Sequence, residues 1–237
     1  MNNLNNTAFI DIGNTNTKIL LDGQFHSISN TKIQNICNEL AFNKAVVSSV
    51  QTSIYSTLAT TLNKAHIAIV NAAALLARQN IIDLSEVDGI GTDRVLGLIG
   101  AMQLSAPPLI TVDCGTATTI NLLDANNIAK GGTIMPGITT MAKALNEHTS
   151  LLPLVNIADN YKWHIGENTD NEISAGIVAA TAGAINFFLQ HTNRCNLVLT
   201  GGYGNLLATY NYPDAENVKY AKHLVLNGLQ HLYNTTS

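Results

Sequence analysis

One short stretch of this chain occurs twice, and the repeat limits what the chain can fold into. The first copy reads Asp11-Ile12-Gly13-Asn14-Thr15-Asn16-Thr17-Lys18 and runs on into Ile19, Leu20, Leu21 and Asp22. The second, 102 residues later, reads Asp113-Cys114-Gly115-Thr116-Ala117-Thr118-Thr119 and runs on into Ile120, Asn121, Leu122, Leu123 and Asp124. Overlaid without a gap, the copies agree at Asp11/Asp113, Gly13/Gly115, Thr17/Thr119, Leu20/Leu122, Leu21/Leu123 and Asp22/Asp124, and each follows an apolar run, residues 8–10 and 109–112. A strand ending on aspartate, a glycine that turns tightly and hydroxyl residues opening the return strand make a β-hairpin. Two such hairpins predict two related halves.

The same residues suit phosphate chemistry. Backbone N–H groups and Thr or Asn side chains exposed at a turn donate to phosphate oxygens, and a nearby carboxylate holds a hydrated cation. A single Asp-x-Gly between apolar runs is an ordinary turn signal, but two matched copies point to phosphate binding between two related half-domains. Lys18 adds a point charge in the first copy; the ungapped overlay sets Ile120 at its place in the second. The two turns therefore do unequal work.

A chain of 237 residues forms one large domain or two of about 110 residues that each bury a core; the repeat favours two, divided as 1–108 and 109–237. Charged residues are 12% and aromatics 5%, so the core is expected to be aliphatic. Net charge is −4 and the Lys and Arg residues are scattered, which argues against a nucleic-acid or anionic-membrane partner and for a small ligand. Cys37, Cys114 and Cys195 are far apart and the histidines dispersed, so neither a disulfide frame nor a zinc site is expected. The start of the chain, residues 1–6, lacks the basic and apolar regions of a signal peptide, and the apolar segment 173–189 is broken by Ser174, Thr181 and Asn186. The expectation is a soluble, cytoplasmic protein.

Periodicity predicts a three-strand meander over 9–28, a short helix over 36–42, a buried strand over 45–48, a helix around Ile54, Leu58, Ala59 and Leu62, and a strand over 66–70. A helix over 92–104 follows. The second half repeats the plan with a meander over 109–132, helices over 139–148 and 171–190, a strand over 196–200 and a final helix over 216–232. Trp163 is expected to be a partly buried packing residue.

Gly91-Thr92-Asp93-Arg94 stands at a predicted helix start, where backbone N–H groups favour anions and Arg94 can grip a carboxylate. Asp93 is placed to accept a proton from a substrate hydroxyl, although an acidic residue also belongs in a first helical turn for dipole reasons. Thr200-Gly201-Gly202-Tyr203-Gly204 after an apolar strand can lie flat against a planar ring or a ribose, or can be an ordinary turn. The glycine-rich segment 131–137 reads as a connecting turn.

With residues 11–18, 91–94, 113–119, 131–137 and 200–202 in this order, the chain resembles the type III pantothenate kinases, members of the superfamily of acetate and sugar kinases, Hsp70 and actin. Ser48-Ser49-Val50, Leu152-Pro153, Asn168-Thr169 and 224–229 match the family as well. The resemblance implies an α/β protein of two duplicated ribonuclease H-like half-domains, the actin-like ATPase fold, with a nucleotide cleft between them. It implies ATP-dependent phosphorylation of pantothenate at its primary hydroxyl, the first step of coenzyme A biosynthesis. By the resemblance, Asp11, Ile12, Gly13, Asn14, Thr15, Asn16, Thr17, Lys18, Thr116, Gly201 and Gly202 bind ATP. Gly91, Thr92, Asp93 and Arg94 bind pantothenate, with Asp93 the general base and Thr169 reaching the substrate across a homodimer. Asp113 holds a monovalent cation, K⁺ or NH₄⁺, and Asp11 assists Mg²⁺ carried on the phosphates. The chain departs from the family where Leu84 and Val87 stand at a usual tyrosine and proline, Val95 at a tryptophan and Tyr203 at an aspartate. The alternatives are a non-catalytic transcriptional accessory regulator of the same fold, or a kinase for another small hydroxy compound.

Overall fold

The computed structural model describes residues 6–236, so most of the stretch expected to lack a targeting signal lies outside the described residues. Contacts group the chain into two compact units. Unit 1 takes residues 1–82, 89–100 and 224–237, and unit 2 takes 83–88 and 101–223. The C-terminal helix thus joins the unit built mainly from the first half.

Unit 1 carries a five-stranded sheet of β1 (Thr7–Ile12), β2 (Asn16–Leu21), β3 (Gln24–Ser29), β4 (Lys44–Ser49) and β5 (Ala68–Asn71) in the order β3-β2-β1-β4-β5. The β1–β2–β3 meander is antiparallel, while β4 and β5 run parallel to β1. The short helix α1 (Ile36–Glu39) precedes β4, and α2 (Thr52–Lys64) crosses over from β4 to β5. One sheet face buries Ala8, Ile10, Ile12, Ile19, Ala45 and Val47 with Leu58 and Leu62 of α2. After β5 come α3 (Ala72–Leu76) and α4 (Thr92–Met102).

Unit 2 repeats the topology with β6 (Leu109–Cys114), β7 (Ala117–Leu123), β8 (Ala129–Pro136), β9 (Cys195–Gly201) and β10 (Ala215–Tyr220), in the order β10-β9-β6-β7-β8. Again the meander is antiparallel and the remaining two strands are parallel to the first. The expected architecture, two duplicated mixed α/β sheets of the actin-like ATPase kind, is what the chain adopts. Helices α5 (Ile138–His148), α6 (Thr169–Gln190) and the short α7 (Gly204–Leu207) complete the unit. Among the described residues α6 is long and apolar enough to cross a membrane, yet Ile173, Ile177, Val178, Ile185 and Leu189 on it are buried with Val112, Leu197 and Leu199 of the sheet. Asn168 caps α6, its side chain accepting from the Asn171 N–H, and Asp170 and Glu172 in the first turn suit the helix dipole.

Two readings need correction. Residues 215–220 are strand β10, and the last helix, α8, begins at Leu224 and runs to Thr236. An edge strand with both faces largely exposed, as β10 is, shows no alternation to separate it from helix. The segment 131–136 belongs to β8 rather than to a turn; a Cβ on Gly132 would lie 1.8 Å from the Ile120 carbonyl oxygen, so only glycine lets this strand lie so close to β7. Trp163 is 48% exposed, its indole N–H donating to the Ala175 carbonyl.

Candidate functional site

In unit 1 the first hairpin is held by side chains that the repeat alone does not reveal. Asp11, 7% exposed, sits in a row across three strands with Lys18 on β2 and Ser48 on β4. The turn closes with the Gly13 N–H donating to the Asn16 carbonyl (3.1 Å). Asn30 braces it from beyond β3: its Nδ2 donates to the Gly13 carbonyl (2.8 Å), its Oδ1 accepts from the Thr17 hydroxyl (2.9 Å), and its backbone N–H donates to the Thr15 carbonyl (3.2 Å). Gln51 Nε2 adds a bond to the Asn14 carbonyl at 2.7 Å. Ile12 and Thr17 are fully buried, which leaves the exposed Asn14, Thr15 and Asn16 as the outward-facing part of the turn. Thr17 therefore serves the loop's shape through Asn30.

The Gly91–Arg94 motif opens α4, with the Gly91 carbonyl accepting from the N–H groups of Arg94 (3.0 Å) and Val95 (3.2 Å). The Asp93 carboxylate folds back over Gly91: a Cβ there would lie 2.6 Å from Asp93 Oδ1. A side chain at Gly91 would turn the Asp93 carboxylate aside from this position. Thr92, Asp93 and Arg94 are all partly exposed, whereas Val95 is 1% exposed in the core. The helix is fixed behind its start by two glycines, since a Cβ on Gly100 would lie 2.3 Å from the Leu224 carbonyl oxygen and one on Gly228 1.9 Å from that of Leu96. Helices α4 and α8 thus meet backbone to backbone.

In unit 2 the second hairpin is one residue shorter. Asp113 pairs with Thr119, whereas Asp11 pairs with Lys18, so the gapless sequence overlay slips by one on the return strand. Because side chains alternate faces, burial decides the true match: Ile19 and Ile120 both enter their cores, and Thr119 stands where Lys18 does. The second copy lacks the lysine, but Ile120 is not its counterpart.

This turn has its own clamps. The Gly115 N–H donates to the Ala117 carbonyl (3.1 Å), and the Thr116 carbonyl accepts from the Gly137 N–H (3.0 Å) and the Thr140 hydroxyl (2.6 Å). Beside it, Thr200 pairs with Asp113 and Gly201 with Cys114 across β9–β6. Gly201 has φ +85°, and a Cβ on it would fall 2.5 Å from Asp113 Oδ1, so the Asp113 carboxylate rests on the bare Gly201 backbone. Tyr203 donates its N–H to the Cys114 carbonyl (3.3 Å), and its hydroxyl accepts from Thr139 Oγ1 (3.2 Å), tying the loop after β9 to α5. Gly115, Thr116 and Gly202 are exposed, and Asp113 is partly so. Burial pushes the Cys114 thiol up, with the Asp113 charge adding to the effect. Thr169 is exposed at the start of α6.

Sequence reasoning missed Asn30, Gln51, Thr139 and Thr140. An Asn directly after a strand is a turn signal, but its partners lie 13 and 17 residues back in the chain, and no local pattern reports that.

The family model of the type III pantothenate kinases matches residues 8–191. A type III pantothenate kinase of Synechococcus elongatus is 35% identical over 148 residues, 60% of this chain and 59% of that protein. One from a Sulfurihydrogenibium species is 27% identical over 230 residues, covering 84% of this chain and 89% of the relative. Among solved structures, a Campylobacter jejuni protein assigned to the Baf family of transcriptional activators aligns with a TM-score of 0.68 at 20% identity over 96% of this chain and 98% of its own. A Sinorhizobium meliloti protein described as a 2-dehydro-3-deoxygalactonokinase aligns at 0.58 with 12% identity, covering 97% and 98%. At such identities these two speak for the fold alone. The matched model spans most of the chain and contains the Asp11 hairpin, the Gly91–Arg94 helix start and the Asp113 hairpin: the chain belongs to the type III pantothenate kinase family.

Proposed function

We propose that this chain transfers the γ-phosphoryl group of ATP to the primary hydroxyl of pantothenate, giving 4'-phosphopantothenate and ADP, the first step of coenzyme A biosynthesis. The observation that carries the reading is the helix start in unit 1, where the Asp93 carboxylate is curled over Gly91 beside Arg94. A carboxylate so placed serves as proton acceptor, while Thr92 and Arg94 offer a hydroxyl and a guanidinium to the substrates.

The chemistry asks for positioning more than for covalent help. In a loose transition state the bond from the γ-phosphorus to the ADP oxygen breaks as the bond to the pantothenate oxygen forms, and the hydroxyl proton passes to Asp93. The exposed turn residues Asn14, Thr15, Asn16 and Thr116 donate to phosphate oxygens, Lys18 adds charge, and Gly201 and Gly202 accept the nucleoside side. No group of three or more His, Cys, Asp or Glu side chains suited to a metal exists among the described residues. That fits Mg²⁺, which keeps waters and binds through phosphates plus one carboxylate such as Asp11. A monovalent cation, K⁺ or NH₄⁺, is expected at Asp113, and when bound it neutralises phosphate charge on the side where Thr119 replaces lysine. Thr169 is assigned to the substrate of a second copy in a homodimer.

The test is ADP release coupled to mass detection of 4'-phosphopantothenate with ATP, Mg²⁺, K⁺ and pantothenate. Turnover on pantothenate is the expected result. No release above background at millimolar substrates refutes the reading and favours a regulator, and phosphorylation of a sugar instead of pantothenate favours the other kinase.

A further inference from the structure

Gln51 stands between β4 and α2, at the N-cap of α2, and its side chain makes no capping bond to the helix it precedes. Its backbone is pinned by Ser49, whose hydroxyl accepts from the Gln51 N–H and donates to the Gln51 carbonyl, both at 3.0 Å. The neighbouring Val50 N–H donates to the Ile12 carbonyl (3.2 Å), which brings this connection against the end of β1. The Gln51 side chain is thereby free to reach the first turn. There its Nε2 lies 2.7 Å from the Asn14 carbonyl oxygen and 3.3 Å from Asn14 Oδ1.

These contacts fix a direction. A backbone carbonyl only accepts, so the end of the Gln51 amide that faces it is the NH₂ group. An NH₂ group only donates, so of the two ends of the Asn14 amide it draws the oxygen. With Oδ1 turned to Gln51, Nδ2 is left on the other side of an exposed residue. A terminal amide otherwise rotates between two nearly equivalent orientations, one showing NH₂ and the other showing oxygen to whatever approaches the turn. Only the first suits an anion, because an oxygen in that place meets a phosphate oxygen with no proton to share.

We infer that Gln51 is a positioning residue for the nucleotide: it holds the Asn14 amide with Nδ2 outward, so that the first turn meets phosphate with a donor. The inference rests on the proposed binding of ATP by this turn. Unit 2 supports it by contrast. There the Tyr203 N–H donates to the Cys114 carbonyl (3.3 Å) as the Val50 N–H does to that of Ile12, so Gly204 takes the place of Gln51 and offers no side chain. The turn residue it would serve is Thr116, which follows Gly115 as Asn14 follows Gly13. A hydroxyl rotates to donate or accept as its partner requires, whereas an amide has one face for each and needs a neighbour to choose between them.

The test is equilibrium binding of ATP with Mg²⁺, measured by calorimetry without pantothenate, together with steady-state kinetics and a melting curve of each protein. Gln51→Met keeps the length of the side chain and removes the donor. It should weaken ATP binding about three- to ten-fold, the worth of one hydrogen bond, and raise KM for ATP alike, with KM for pantothenate and Tm held. Gln51→Glu should weaken it further, because a carboxylate draws Asn14 Nδ2 toward itself and turns Oδ1 outward. In an Asn14→Ala background Gln51→Met should cost less than about two-fold, since the group it orients is gone. A Gln51→Met protein that binds ATP as its parent does overturns the inference. So does a loss undiminished in the Asn14→Ala background, or one shared by both KM values with a lowered Tm. A parent that fails to bind ATP removes the nucleotide reading beneath the inference, whereas one that binds ATP and leaves pantothenate unphosphorylated overturns the proposed activity alone, so the failures are separable.

Discussion

Gly201→Ala offers the sharpest check on the second site. Gly201 has φ +85°, a conformation that costs an L-residue about 1–2 kcal/mol. The added Cβ would lie 2.5 Å from Asp113 Oδ1, 2.6 Å from the Cys114 carbonyl carbon and 2.7 Å from the Cys114 nitrogen. The Asp113 side chain can swing away, but the Cys114 backbone closes β6, the central strand of its sheet, and is paired to β9 through Gly201 itself. Relief therefore opens the β6–β9 register, an overpacking cost of about 1–3 kcal/mol. The sum is roughly 2–5 kcal/mol, or about 5–20 °C in Tm for a chain of this size. Gly183→Ala is the matched control. It is exposed within α6 with nothing within 4 Å of an added Cβ, and should gain about 0.5–1 kcal/mol. Thermal and urea melts of both variants, with K⁺ titrations of activity, read the outcome. Gly201→Ala should melt lower and respond less to K⁺, because displacing Asp113 removes the proposed ligand. A Gly201→Ala protein as stable and as K⁺-responsive as its parent would refute the reasoning.

Three further outcomes are expected. Asp93→Asn should lower kcat by roughly 10² to 10⁴ with KM for ATP retained, as for loss of a positioned base; activity within a few-fold of the parent would reduce Asp93 to a helix-end residue. Asn30→Ala strips the buried Thr17 hydroxyl of its acceptor and the Gly13 carbonyl of a donor. It should destabilise by about 1–3 kcal/mol and raise KM for ATP, measured by urea melts and initial rates. Exchanging K⁺ for Na⁺ should depress turnover, and indifference to the exchange would remove the cation from Asp113.

The meanders, the α2 crossover and the doubled topology were legible because alternating apolar residues and Asp-Gly turns are local signals. The strand at β10 was not, since Ala215–Tyr220 is an edge exposed on both faces and carries no period of two. Segment 131–136 misled for a different reason. Its glycines mark a close approach of β8 to the β7 backbone, and composition alone gives glycine the same look in a turn. α8 packs on α3, β1, β2 and β4 of unit 1, and its close approach to α4 uses Gly100 and Gly228, whose meaning appears only when the two helices are side by side. The site divided along the same line. Asp11, Asp93 and Asp113 stood out by motif, whereas Asn30, Gln51 and Thr140 act over long sequence distances.

The repeat itself explains why the two turns now differ. In the first, the extra residue makes the loop long enough to need a brace from outside, and Asn30 reaches in to hold Gly13 and Thr17 together. The equivalent of Thr17 in the second turn is Thr118, fully buried with its hydroxyl unpartnered, so the shorter loop has lost that brace. Its shape is instead imposed from the backbone side, by Gly137 and Thr140 on the Thr116 carbonyl and by Gly201 beneath Asp113. A side chain from outside thus shapes the first turn, while hydrogen bonds to the Thr116 carbonyl and the bare Gly201 backbone shape the second. Divergence in register by a single residue is enough to set Lys18 opposite Asp11 in one hairpin and Thr119 opposite Asp113 in the other, so the two turns carry unequal charge beside the shared aspartate.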